Sequence, residues 1–201
     1  MPPLAIIVSA FRPVPHLFRP VLNDYNGCTK PDRGIMENAR PNPWQLIADL
    51  TCADTIKCQR ARRSLVSMGE AAVEHLVNAL HDKRRRVRWE AAKALSQIAS
   101  PSSTQALVDT LEDKEFDLRW LAAEGLARIG PASVVPLLKA LLKRPESQWL
   151  REGAHHVLLD MDGGPLAAVL KPVTEAIDDP TPAVALPIAV HRSLEVLEGK
   201  R

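Results

Sequence analysis

The sequence predicts an all-α fold, an α-solenoid of about five stacked helix pairs, and three observations predict it. A phrase recurs: "VRWEAAKAL" begins at Val87 and "LRWLAAEGL" at Leu118, thirty-one residues later. Four segments, starting at Ser64, Ala94, Gly125 and Val157, align at steps of 30, 31 and 32 residues, a period that marks stacked supersecondary units. Alanine and leucine dominate after residue 44 and aromatic residues make up 4% of the chain, so the core must be aliphatic and the elements helical.

Residues 1–43 stand apart. They hold eight of the seventeen prolines and show no helical period, which predicts an irregular or disordered tail. Met36 offers an alternative start for the domain, and a short docking peptide is the functional alternative for the tail. The opening "MPPLAIIVSAF" has no basic residue ahead of its apolar stretch, which is poor for a secretory leader.

The array then occupies residues 44–197. Helix pairs are expected over 43–68, 71–99, 102–129, 131–161 and 165–197, the last and least regular acting as a cap. In each pair one helix carries a phrase such as "HLVNALHD", "ALVDTLED" or "PLLKALLK", and the other carries the opening phrase. Ser102 and Ser103 are suited to cap the helix after Ala99, and Pro131 suits a first helical turn. Gly69, Gly130 and Gly163-Gly164 fall at the breaks. Pro136 and Pro172 fall inside helices and should kink them.

Charge is uneven along the array. Residues 56–105 hold ten basic and four acidic side chains, whereas 106–201 hold eleven basic and fifteen acidic ones. A basic end can meet an acidic partner. The three cysteines, Cys28, Cys52 and Cys58, form neither a disulfide framework nor a zinc spacing, which points to a reducing, cytoplasmic setting. No apolar run is long enough to span a membrane.

The recurring motif [VL]-R-x-x-A-A-x-[AG]-L-x-x-I, preceded by an aspartate, resembles the HEAT-like repeat in the short form of phycobilin lyases, over about residues 44–197. The resemblance implies that Asp82 with Arg88, and Asp113 with Arg119, belong to an inter-repeat ladder. In the fourth unit Arg151 matches, and the aspartate's place is read as Arg144. The resemblance also implies that the second helices line the concave face.

A helical projection puts Val87, Ala91, Ala94, Leu95 and Ile98 on the buried stripe and Trp89, Lys93 and Gln97 opposite. The third unit repeats this with Trp120, Glu124 and Arg128 outside; the fourth has Glu152, His156 and Asp160, the first Gln59, Arg63 and Ser67. Aligned, these form files along one wall. Large aromatics are costly to leave in water, so Trp89 and Trp120 mark either a binding patch or a packing contact. The candidate binding residues are Trp89, Trp120, Lys93, Glu124, Arg128, Glu152 and His156. Arg84, Arg85 and Arg86, read as part of a loop, form a second, electrostatic docking candidate.

Catalysis is not predicted. HEAT-like deoxyhypusine hydroxylases carry iron-binding His-Glu pairs; the matching positions here are Trp89-Glu90, Trp120-Leu121 and Glu152-Gly153. His155 and His156 diverge by about 100° on a helix, and His155 reads as a hydrogen-bonded structural residue. Glu152, His156 and Asp160 read as a solvated face rather than metal ligands. Ser64, Ser67 and Ser96 have no triad setting, and Gly163-Gly164 is a turn rather than a phosphate loop. No cofactor or metal is expected. The leading reading is a protein–protein scaffold. The alternatives are a phycobilin lyase-like or chaperone-like tetrapyrrole binder, and a nucleic-acid binder resembling HEAT-like DNA glycosylases. The last is disfavoured because Glu124, Glu152 and Asp160 oppose phosphates. The end faces of a short solenoid would permit self-association.

Overall fold

A computed structural model describes residues 42–52, 54–161 and 163–199. The expected tail therefore lies outside the described residues, apart from its last two positions. Among the described residues ten α-helices follow one another: α1 (Pro43–Asp49), α2 (Thr55–Met68), α3 (Glu70–Ala79), α4 (Arg85–Ile98), α5 (Thr104–Thr110), α6 (Phe116–Ile129), α7 (Pro131–Lys143), α8 (Gln148–Asp160), α9 (Ala167–Ile177) and α10 (Pro182–Leu197). No strand occurs among the described residues, and no helix there is long and apolar enough to cross a membrane.

Local chemistry sets the boundaries. Asn42 accepts from the Trp44 N–H, Asp54 from the N–H groups of Ile56 and Lys57, and Ser147 from that of Leu150, so α1, α2 and α8 begin at side-chain caps. Gly69 and Gly130 turn the chain at φ 58° and 72°, where a side chain would be strained. Ser103 holds the N-cap position of α5 as expected, but its side chain makes no capping bond. Ser100, not Ser102 or Ser103, accepts the backbone N–H of Ser102 and opens a 3-10 turn over Pro101–Ser103. Glu70 of the preceding pair accepts from the Ser100 and Ser102 hydroxyls, which fixes that turn to α3.

The helices form an α-solenoid of five pairs. One layer packs α2, α4, α6 and α8 side by side, and the other contains α1, α3, α5 and α7. Between them lies a continuous aliphatic core that includes Leu65, Leu76, Leu95, Leu107, Leu126, Leu137 and Leu158, each almost fully buried. Each such side chain contributes about 1.5–3 kcal/mol relative to exposure.

The fifth pair exchanges layers. Its first helix, α9, packs on α8, and its second helix, α10, packs on α7. His155 Nε2 of α8 meets Asp178 Oδ2 at the end of α9 at 3.3 Å, while Lys139 of α7 pairs with Glu198 just beyond α10 at 2.7 Å. The layer of second helices thus ends with a first helix, a capping arrangement that period counting does not reveal.

Candidate functional site

Inside an array, a second helix is covered by its pair partner and by a neighbour on either side. Helix α4 therefore buries Val87, Ala91, Ala94 and Leu95 as the projection predicts, and also Arg88, Glu90, Ala92 and Ser96 on its flanks. Glu90 accepts from Arg62 Nε of α2 at 2.8 Å, and Arg62 Nη1 donates to Gln97 Oε1 at 3.3 Å. Beyond the exposed first turn, what remains accessible along α4 is a narrow strip holding Trp89, Lys93 and Gln97, with Ile98 partly accessible at its end.

Successive strips touch. Lys93 Nζ lies 4.4 Å from the Trp89 ring centroid, a cation–π contact one helical turn apart. The Trp120 indole lies 4.7 Å from the His156 imidazole of the next repeat, centroid to centroid. Arg128 donates to Glu124 at 2.7 Å, and Gln148 donates to Glu152 at 2.8 Å.

The strip is electrostatically coupled. Partial burial lowers the Lys93 pKa, and Arg62 lowers it further, against the opposing pull of Glu90 and Glu124. Burial also lowers the His156 pKa below its ordinary 6.5, opposed by Asp160 and Glu124. Glu124 therefore acts on a cation in the repeat before it and on an imidazole in the repeat after it. Among the described residues, no group of three His, Cys, Asp or Glu side chains is placed to hold a metal ion.

Both indoles are half-buried rather than fully proud of the surface, and Trp89 packs on the core. The more exposed aromatics are Trp44 (64%), Phe116 (55%) and Trp149 (43%). Sequence reasoning passed over these three because none occupies the repeated Trp place. An aromatic in the first turn of a second helix, as at Phe116 and Trp149, is the signal that could have found two of them.

The basic run is largely engaged within the protein. Arg85 and Arg86 belong to the first turn of α4 rather than to a loop, and Arg84 is its cap residue. Arg84 pairs with Asp82 through Nε and Nη2 at 2.9 and 2.7 Å and holds the Asp82 carboxyl down to about 2. Arg85 pairs with Glu115 at 3.4 Å and with Asp117 of the next repeat. These acids offset the penalty of cations at a helix N-terminus. Arg86 is exposed.

The ladder is real at one rung. Arg88 donates from Nε and Nη2 to Asp113 of the next repeat, at 3.0 and 3.4 Å, and from Nη1 to the carbonyls of Asp82 and Lys83. Arg119 repeats the backbone half of this pattern on Asp113 and Lys114, and Arg151 on Pro145. The aspartate's place in the fourth unit is therefore Pro145, one residue beyond the Arg144 that sequence alignment indicated. Arg144 turns back to Glu112 and Asp109 instead.

A family model described as HEAT repeats matches residues 45–119 and 105–190. Among solved structures, the chain is similar to the complex of CpcE and CpcF of phycocyanin lyase from Nostoc sp. PCC7120. That match has 21% identity and a TM-score of 0.52, and covers 76% of this chain and 97% of that one. It is also similar to an engineered protein, at 22% identity and a TM-score of 0.45, over 76% of this chain and 77% of that one. No curated protein matches.

Proposed function

We propose that this chain, which belongs to the HEAT-repeat family, is a non-catalytic scaffold that grips a protein segment along the exposed strip of its second helices. The observation that carries this reading is the continuity of the strip across repeats. Trp120 lies on His156, and Glu124 acts on both Lys93 and His156. A half-buried aromatic with charged neighbours is the composition of an interface anchor: the ring supplies apolar area and its surround supplies orientation. On this reading Trp89 and Trp120 are the anchors, Lys93, Glu124, Arg128, Glu152 and His156 orient the segment, and the strip forms the concave wall. Arg84, Arg85 and Arg86 contribute a weaker electrostatic rim, since two of them already hold acids of the chain itself. Nucleic acid is disfavoured as the partner by the carboxylates interleaved in the strip. A cytoplasmic setting agrees with Cys52 and Cys58 being free thiols.

A photo-crosslinking side chain tests this. Placed at Gln97, in the strip, it should capture a discrete protein from source lysate. Placed at Glu74, on the exposed side of α3 in the other layer, it should not. Equal capture from both positions would refute the reading.

A second reading is a lyase-like tetrapyrrole binder, favoured by the likeness to phycocyanin lyase chains along nearly their whole length. Mixing the protein with a bilin and observing a shifted absorption band would support it; an unchanged spectrum would remove it.

A further inference from the structure

We propose that the unfilled second rung of the arginine ladder, at Arg119, is a docking site for a carboxylate side chain on an acidic segment of a partner protein. It does not depend on the reading proposed above.

The repeat itself defines the vacancy. At the first rung, Arg88 points Nη1 at two carbonyls of its own turn and presents Nε and Nη2 to Asp113 of the next unit. Arg119 makes the same two carbonyl contacts, with Nη1 at 2.9 Å from Asp113 O and 3.2 Å from Lys114 O, so its guanidinium is held in the same way. The residue one unit on that would supply the carboxylate is Pro145, which has none. Among the described residues, no carboxylate pairs with Arg119 through Nε or Nη2. The third-rung Arg151, whose own turn includes Pro145, likewise has no ion pair there.

Two aromatics lie beside the Arg119 guanidinium. The Arg119 guanidinium carbon lies 4.6 Å from the Trp149 ring centroid and 5.6 Å from that of Phe116, and both rings are substantially exposed. A guanidinium can meet an aromatic ring with its face and still offer its in-plane N–H groups to a bidentate carboxylate. The rings add an apolar shelf for the residues beside that carboxylate. The site thus combines a preorganised arginine fork with exposed aromatic area, the pairing that dominates protein recognition hot spots.

The surround selects a peptide over a polyanion. Glu115 and Asp117, and Glu112 and Asp109, line neighbouring turns, held by Arg85 and Arg144 respectively. Each of these arginines holds two acids, so the surround keeps an excess of negative charge. One carboxylate seated on the Arg119 fork meets little of it, whereas a run of phosphates would have to pass close to four acids.

The test uses a fluorescein-labelled, end-capped peptide of alanine and proline with one central aspartate, with fluorescence anisotropy as the readout. The same peptide with asparagine in that place and a single-stranded RNA serve as comparison probes. The wild-type chain should bind the aspartate peptide in preference to both. Arg119→Gln should weaken that binding about tenfold or more, and Trp149→Ala should weaken it as well. Pro145→Asp should fill the rung from within. It should abolish peptide binding and at the same time raise the melting temperature, which establishes that the variant is folded. The proposal is overturned if the wild type does not bind the aspartate peptide or binds the asparagine peptide or RNA as well. It is also overturned if neither Arg119→Gln nor Pro145→Asp alters binding.

Discussion

The indole of Trp120 and the imidazole of His156 meet across a repeat boundary, with ring centroids 4.7 Å apart and planes tilted by 39°. Two polar-tipped rings on successive units touch only if the units stack in register with these positions on the same wall. The contact removes much of the imidazole from water, and burial disfavours its charged form.

Acidification should therefore weaken the fold through His156. Its folded-state pKa lies below the unfolded value of 6.5, so the unfolded chain takes up the proton first. The stabilisation is complete above that value and is lost as pH falls from it through the lower folded-state pKa. Melting scans at pH about 7.5 and about 5.5 check this, on either side of the ordinary histidine range. The drop in melting temperature should be smaller in His156→Gln than in wild type.

Arg62 and Glu90 form an ion pair at 2.8 Å with both residues buried. Glu90→Ala leaves a buried guanidinium without its counter-charge, at a cost of about 3–5 kcal/mol. Replacing both partners with methionine should cost far less or stabilise, because two desolvated charges give way to apolar packing. Urea unfolding of the three proteins gives the comparison.

Gly125 sets the approach of α6 to α4. A Cβ built there would stand 3.2 Å from Ser96 Cα, a backbone atom of α4, and 3.0 Å from Leu107 Cδ1. Alanine is favoured over glycine within a helix by about 1 kcal/mol, but overpacking a tight core costs about 1–3 kcal/mol. Because the Ser96 backbone moves only if the whole helix moves, Gly125→Ala should destabilise. Chemical denaturation measures the net sign.

These residues also show how much was legible beforehand. The period, the helix pairs and the buried stripe of Val87, Ala91 and Leu95 follow from sequence because each is a local pattern repeated along the chain. The flanks of α4 do not. Glu90 and Ser96 are buried because helices α2 and α6 lie on either side, and a single-helix projection contains no neighbours. The exchange of α9 and α10 between layers was hidden for the same reason, since both orders of packing leave the same amphipathic pattern in the chain. The strip of Trp89, Lys93, Trp120, Glu124 and His156 was legible as a set of positions. Its couplings were not: they depend on side chains of different repeats reaching one another. The rung at Arg119 could be counted in the motif, and so could its vacancy: Asp82 and Asp113 each stand six residues before their arginine, and the residue six before Arg151 is Pro145, not Arg144.

The claim on which the account rests is that the files of like positions on the second helices form a recognition wall anchored by Trp89 and Trp120. The most direct measurement compares the Trp89→Ala/Trp120→Ala variant with wild type in one experiment, with partner capture from source lysate beside a thermal melt of each protein. The account predicts a variant that still melts cooperatively and no longer retains the wild-type partners. Recovery of the same partners, or loss of the cooperative melt, would contradict it, because the indoles would then serve packing rather than recognition.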